Sequence, residues 1–179
     1  MVKVISCKIT QSELCSDSWE NLAQNDKTYP EGLYVAQSTM IAEGQISVYS
    51  GNAFGEEEED DDVVKVNDIV TKFCLEKVEL TKQDFKAMFG GHMRAVMKHM
   101  KLKKIAKESE EGRKNFDIFQ EKAKNVLKFY LKNFKDCDIY MNDEQDSTGA
   151  YVIAWWNPNS KVVDAPQMCF WLDGCDFRK

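Results

Sequence analysis

Residues 51–62 read GNAFGEEEEDDD, and the last seven, Glu56, Glu57, Glu58, Glu59, Asp60, Asp61 and Asp62, are carboxylates with nothing between them. Carboxylate oxygens are calcium ligands, but a tight calcium cage needs about six to eight oxygens meeting at about 2.3 to 2.6 Å. Neighbours in a single acidic run repel one another instead of converging. The segment is therefore read as a mobile, solvated acidic loop over 53–63 that attracts calcium weakly, and no other cofactor is expected.

Nucleophiles and metal ligands give little more. Six cysteines (Cys7, Cys15, Cys74, Cys137, Cys169 and Cys175) are scattered without a C-x-x-C pair, and His92 and His99 lie far from most of them in sequence. This lacks the spacing of a structural zinc site. The opening MVKVISCKIT has neither the apolar core nor the small-residue cleavage site of a leader, and nowhere do about 18 apolar residues run together. Reduced thiols in a cytoplasmic protein without a membrane span are expected. Cys175 is singled out as the thiol for a disulfide-linked dimer of an otherwise monomeric chain. There is no phosphate loop ending in Lys-Ser/Thr, no G-x-S-x-G, no H-E-x-x-H and no EF-hand loop. The chain is read as not an enzyme, and His92, set among methionines, as a core histidine in preference to a general base.

Positive charge is the remaining candidate. From Lys82 to Lys135 the chain carries 15 Lys or Arg against 6 Asp or Glu, a balance of +9; everything outside holds 9 against 24, or −15. Lysine-rich faces keep helices hydrated, but this excess is more than solubility demands and also suits an acidic partner. Nucleic acid is not that partner: the whole chain is at −6, RNP and zinc-finger patterns are missing, and aromatic residues do not interleave with the lysines.

The elements that position these groups follow from periodicity. Residues 1–80 hold short β-branched and aromatic runs (33–36, 46–49, 63–80) punctuated by Pro30, Gly32, Gly44 and Gly51, which predicts an antiparallel sheet. At Thr81 the period changes. Thr81 with Asp84 forms an N-cap pattern, and Phe85, Met88, Phe89, His92, Met93, Val96, Met97 and Met100 then make one helical stripe through Gly90 and Gly91, where the helix either is held straight by packing or kinks. The polar segment KESEEGRKN (107–115) is read as the loop before a second stripe from Phe116 to Phe134. Strands return at 138–141, 150–156 and 168–172 to close the N-terminal sheet, with Trp155 and Trp156 on opposite faces. The fold class is α+β. One domain over 1–179 is expected, with a twisted, mostly antiparallel β core from 1–80 and 136–179 and a helical hairpin over 81–135.

Taken together, the segments resemble the translationally controlled tumour protein family, also called histamine-releasing factor or fortilin. The resemblance rests on VNDIVTKFCLEKVELTKQDFKAMFGGHMRAVMKHM (66–100), on Gly51, Asn52 and Ala53 before an acidic loop, on LKNFKDCDIYMNDEQDSTGAYVIAWW (131–156), on PQMCFWLDG (166–174), and on Glu13, Ser16 and Asp17 as E-x-x-S-D. Departures at Phe54, at Asn142-Asp143 and at Glu111-Gly112-Arg113 mark a divergent member. The resemblance implies a non-enzymatic interaction protein associated with growth control, survival, weak calcium binding, microtubule binding and non-classical secretion. It places the tubulin-binding region on the hairpin, where the cations are Lys86, Arg94, Lys98, Lys101, Lys103 and Lys104. It also implies an alternative, a regulator or chaperone of a Rheb- or Rab-type small GTPase, acting through Glu13.

Overall fold

A computed structural model of the chain describes residues 1–43, 64–142, 146 and 148–179. The expected strand at 46–49, the signature at Gly51, Asn52 and Ala53, and the acidic loop with Glu56 to Asp62 lie outside the described residues. So does Asp143.

The centre is an antiparallel sheet of five strands. Its order is β3 (Leu33–Gln37), β9 (Gln167–Trp171), β8 (Val152–Trp155), β7 (Cys137–Met141) and β6 (Glu76–Val78). Side chains alternate between its faces as the pleat requires. Leu33, Val35, Ile139, Met141, Ile153, Cys169 and Trp171 face one core; Tyr34, Ala36, Val152, Ala154, Met168 and Phe170 face a second. The first core is covered by helices α2 (Lys82–His99) and α4 (Glu110–Lys132), through Phe85, Phe89, Val96, Phe119, Ala123, Val126 and Tyr130. The second is covered by β1 (Val4–Cys7), β2 (Glu13–Ser16) and β10 (Cys175–Arg178), a three-stranded sheet ordered β10-β1-β2, together with α1 (Asp68–Lys72). The α+β architecture is thus three layers, and the near-continuous apolar runs of β8 and β9 reflect burial on both faces.

The N-cap at Thr81 forms as expected, its hydroxyl accepting from the Asp84 amide at 3.1 Å. Helix α2 runs unbroken through Gly90 and Gly91, with Phe85, Phe89, His92 and Val96 buried along it. Trp155 packs on the first core, whereas Trp156 is 41% exposed.

Three expectations are corrected. The run from 63 to 80 is not continuous strand: β5 (Lys65–Asn67) pairs with β4 (Met40–Ala42), and α1 follows it at once. The Asn67 side chain accepts from the amides of Ile69 at 3.0 Å and Val70 at 3.1 Å, which starts a helical turn despite β-branched neighbours. The hairpin loop is not at 107–115. The break falls at Met100–Lys101, a short helix α3 (Leu102–Glu108) follows, and Ser109 alone separates it from α4. Lys and Glu are good helix formers, so polarity at 107–115 did not mean loop. The Ser109 hydroxyl accepts from the Gly112 amide at 2.9 Å and caps α4. Cys175 is also corrected: it is 6% exposed at the start of β10, and burial pushes its thiol pKa up, so it is not placed for an intermolecular link. Cys74 is the exposed thiol.

Candidate functional site

The hairpin's cations are gathered by one unusual backbone position. Helix α2 ends at Met100, whose amide still bonds to the Val96 carbonyl at 2.9 Å. Lys101 then takes left-handed φ 53° and ψ 33°, and its carbonyl accepts from Ile105 to begin α3. For a lysine this backbone costs about 1 to 2 kcal/mol. The next residue, Leu102, is 7% exposed in the first core, and burying a leucine contributes about 1.5 to 3 kcal/mol. Packing of Leu102 is large enough to hold the turn.

The reversal lays the start of α3 back against the end of α2. Between them is a cleft of about 420 Å³ lined by Arg94, Met97, Lys98, Lys101, Lys103 and Lys104. Five of the six hairpin cations named from the sequence therefore meet at one place, and all five are exposed. Lys86 is exposed on α2 about 12 Å further toward its N-terminus and does not line the cleft. Among the described residues no carboxylate lines it and none of the five cations is in an ion pair; the pairs there are Lys8–Asp176, Lys77 with Glu79 and Asp138, and Lys122–Glu31. Such a cluster of unneutralised ammonium and guanidinium groups can hold an anionic ligand by charge.

Met97 was missed as a site residue because helical spacing assigned it to the core. It is 7% exposed and does belong to the core, but it also lines the cleft. A second opening of about 630 Å³ lies across α3, lined by Lys103, Ala106, Lys107, Arg113, Phe116 and Asp117. Helix α3 can run this close to α4 because Gly112 has no side chain: a Cβ there would be 2.3 Å from the Ile105 carbonyl oxygen.

The other candidates fall elsewhere. Glu13 is exposed at the first position of β2, an edge strand of the three-stranded sheet, on the far side of the five-stranded sheet from the helices. His92 is 1% exposed, with Nδ1 2.7 Å from the Thr148 carbonyl and its ring against the edges of Tyr151 and Trp171. Burial lowers its pKa, opposed by the hydrogen bond to Thr148. It is a core residue, as expected. Asn142, one of the departures, is buried and donates to the hydroxyls of Thr10 and Ser12. Among the described residues no three His, Cys, Asp or Glu side chains are grouped to hold a metal ion, and no helix is long and apolar enough to cross a membrane.

Comparison with known proteins adds ancestry to this geometry. The family model described as "Translationally controlled tumour protein" matches residues 2–176. The chain belongs to the translationally controlled tumour protein family. A homologue from Neurospora crassa is 32% identical over 171 residues, covering 82% of this chain and 91% of its own. One from Yarrowia lipolytica is 25% identical over 170 residues, covering 93% and 92%. Among solved structures, the translationally controlled tumour-associated protein p23fyp of Schizosaccharomyces pombe superposes with a TM-score of 0.70 at 24% identity, over 100% of this chain and 99% of its own. The Caenorhabditis elegans family member gives 0.63 at 18% identity, over 100% and 98%. These two structures establish the shared fold, and the family is not known for enzymatic activity.

Proposed function

We propose that this family member is a non-enzymatic interaction protein that binds microtubules through acidic tubulin segments, using the cleft of Arg94, Lys98, Lys101, Lys103 and Lys104. The observation that carries the reading is the convergence of five cations on one cleft that, among the described residues, holds no carboxylate and no ion pair. The tubulin-binding region that the family resemblance implies lies on the same helices. Exposed charges are screened beyond about 8 Å at physiological ionic strength, so binding is salt-sensitive. The test is microtubule co-sedimentation in rising salt, with Lys98, Lys101, Lys103 and Lys104 all changed to Glu. Pelleting that weakens with salt and is lost in the reversed variant supports the reading; unchanged pelleting of the variant refutes it.

A second reading, regulation of a Rheb- or Rab-type small GTPase, is favoured by one observation: Glu13 stands exposed on an edge strand, on a face separate from the basic cleft. Nucleotide release from such a GTPase should be accelerated by the protein and slowed again by Glu13→Ala. No acceleration, or acceleration indifferent to Glu13, rules it out.

A further inference from the structure

The cleft has a property that charge alone does not use. Met97 lines it together with the exposed residues Lys98, Lys101, Lys103 and Lys104, and the lining surface is mostly apolar although five of its six residues are cationic. Lysines contribute such surface through their methylene stems. A volume of about 420 Å³ is within the range of pockets that enclose a side chain or small ligand. A run of carboxylates touching only the ammonium groups would leave that apolar surface in water.

We propose that the cleft recognises an acidic peptide carrying an apolar side chain between its carboxylates, the apolar group seated on Met97 and the carboxylates met by Arg94 and the four lysines. This deepens the proposed function and rests on its reading of the cleft as the docking site for an acidic partner. Charge complementarity selects an acidic segment. An unstructured peptide is favoured over nucleic acid because, among the described residues, no aromatic ring lines the cleft to stack on a base: Phe85, Phe89 and Phe119 of the neighbouring helices are all buried in the core. The left-handed turn at Lys101 gives the cleft its shape, because a helix continuing straight would carry residues 103 and 104 about 9 to 10 Å along the axis beyond Met97 and leave an open face in place of a cleft.

Fluorescence anisotropy with the full chain tests this, using three labelled peptides: six glutamates around a central phenylalanine, the same with a central glycine, and the phenylalanine peptide with glutamine for every glutamate. The acidic phenylalanine peptide should bind about tenfold or more tightly than the glycine peptide, as expected for burying one large apolar group. The glutamine peptide should not bind. Met97→Gln should narrow the phenylalanine-to-glycine ratio. Because Met97 also packs in the core, Lys101→Met and Lys104→Met at exposed positions give an independent arm: they keep the stems, so both acidic peptides should weaken while the ratio persists. Equal binding of the two acidic peptides overturns the inference and leaves a purely charge-reading cleft. Displacement of the phenylalanine peptide by an oligothymidine of equal affinity overturns it in favour of nucleic acid. No binding of either acidic peptide also overturns it, and charge-dependent pelleting with microtubules would then show that the proposed function stands without it.

Discussion

Replacing glycine by alanine in three helical positions should give opposite signs. Ala is favoured over Gly in a helix interior by about 1 kcal/mol. At Gly90 an added Cβ would meet only the Arg94 guanidinium at 3.5 Å, and at Gly91 the same group at 3.9 Å. That side chain is long and exposed, so it can yield. Gly90→Ala and Gly91→Ala should each stabilise by about 0.5 to 1 kcal/mol. At Gly112 the Cβ would lie 2.3 Å from the Ile105 carbonyl oxygen, 2.6 Å from its Cγ2 and 2.8 Å from its carbonyl carbon. Atoms prefer separations of about 3.5 Å or more, so α3 would have to retreat by about 1 Å. Overpacking of this kind costs about 1 to 3 kcal/mol, which outweighs the propensity gain. Gly112→Ala should therefore destabilise by about 1 to 2 kcal/mol. With a urea slope of about 2 kcal/mol per molar, its midpoint should fall by about 0.5 to 1 M while those of the other two rise. Because Lys103 and Lys104 precede Ile105 directly, the retreat should also weaken binding at the cleft. A midpoint for Gly112→Ala that rises with the other two would refute the close approach of α3 to α4, and with it the placement of the cleft's outer wall.

Two further outcomes can be checked in vitro. The buried His92 has its pKa lowered, so below about pH 6.5 the unfolded chain takes up a proton that the folded chain does not; stability should be complete above that pH and fall on acidification by up to about 1.4 kcal/mol per pH unit until the folded imidazole titrates. Thermal unfolding across this range should show a shallower decline for His92→Gln, and identical profiles would contradict the assignment. With Ellman's reagent the native protein should show one fast thiol, Cys74, since Cys7, Cys15, Cys169 and Cys175 are buried and burial pushes Cys15 and Cys137 up to about 12. Cys74→Ser should abolish the fast phase and any oxidised dimer; a fast phase that survives would place the reactive thiol elsewhere.

The sequence by itself determined what repeats locally. The stripes of α2 and α4, the Thr81 cap, the strands at 138–141 and 168–172, and the split of charge between hairpin and body are written in residue type and period, because each depends on neighbours within a few positions. His92 could be read as a core residue for the same reason. Three features were decided only by tertiary structure. Helix α1 appears inside a β-branched run because Asp68 accepts from the Thr39 amide and the Trp19 indole while Ile69 is buried in the second core, and β10, with the sequence CDFR, becomes a strand only because β1 offers its edge. The basic cleft itself depends on a lysine in a left-handed turn, which no local preference of lysine announces. What holds that turn is the burial of Leu102 beneath it and the missing side chain of Gly112 across from Ile105, contacts between segments that the sequence lists separately. Residue types fixed which charges the hairpin carries. Long-range packing decided that five of them line one cleft with Met97.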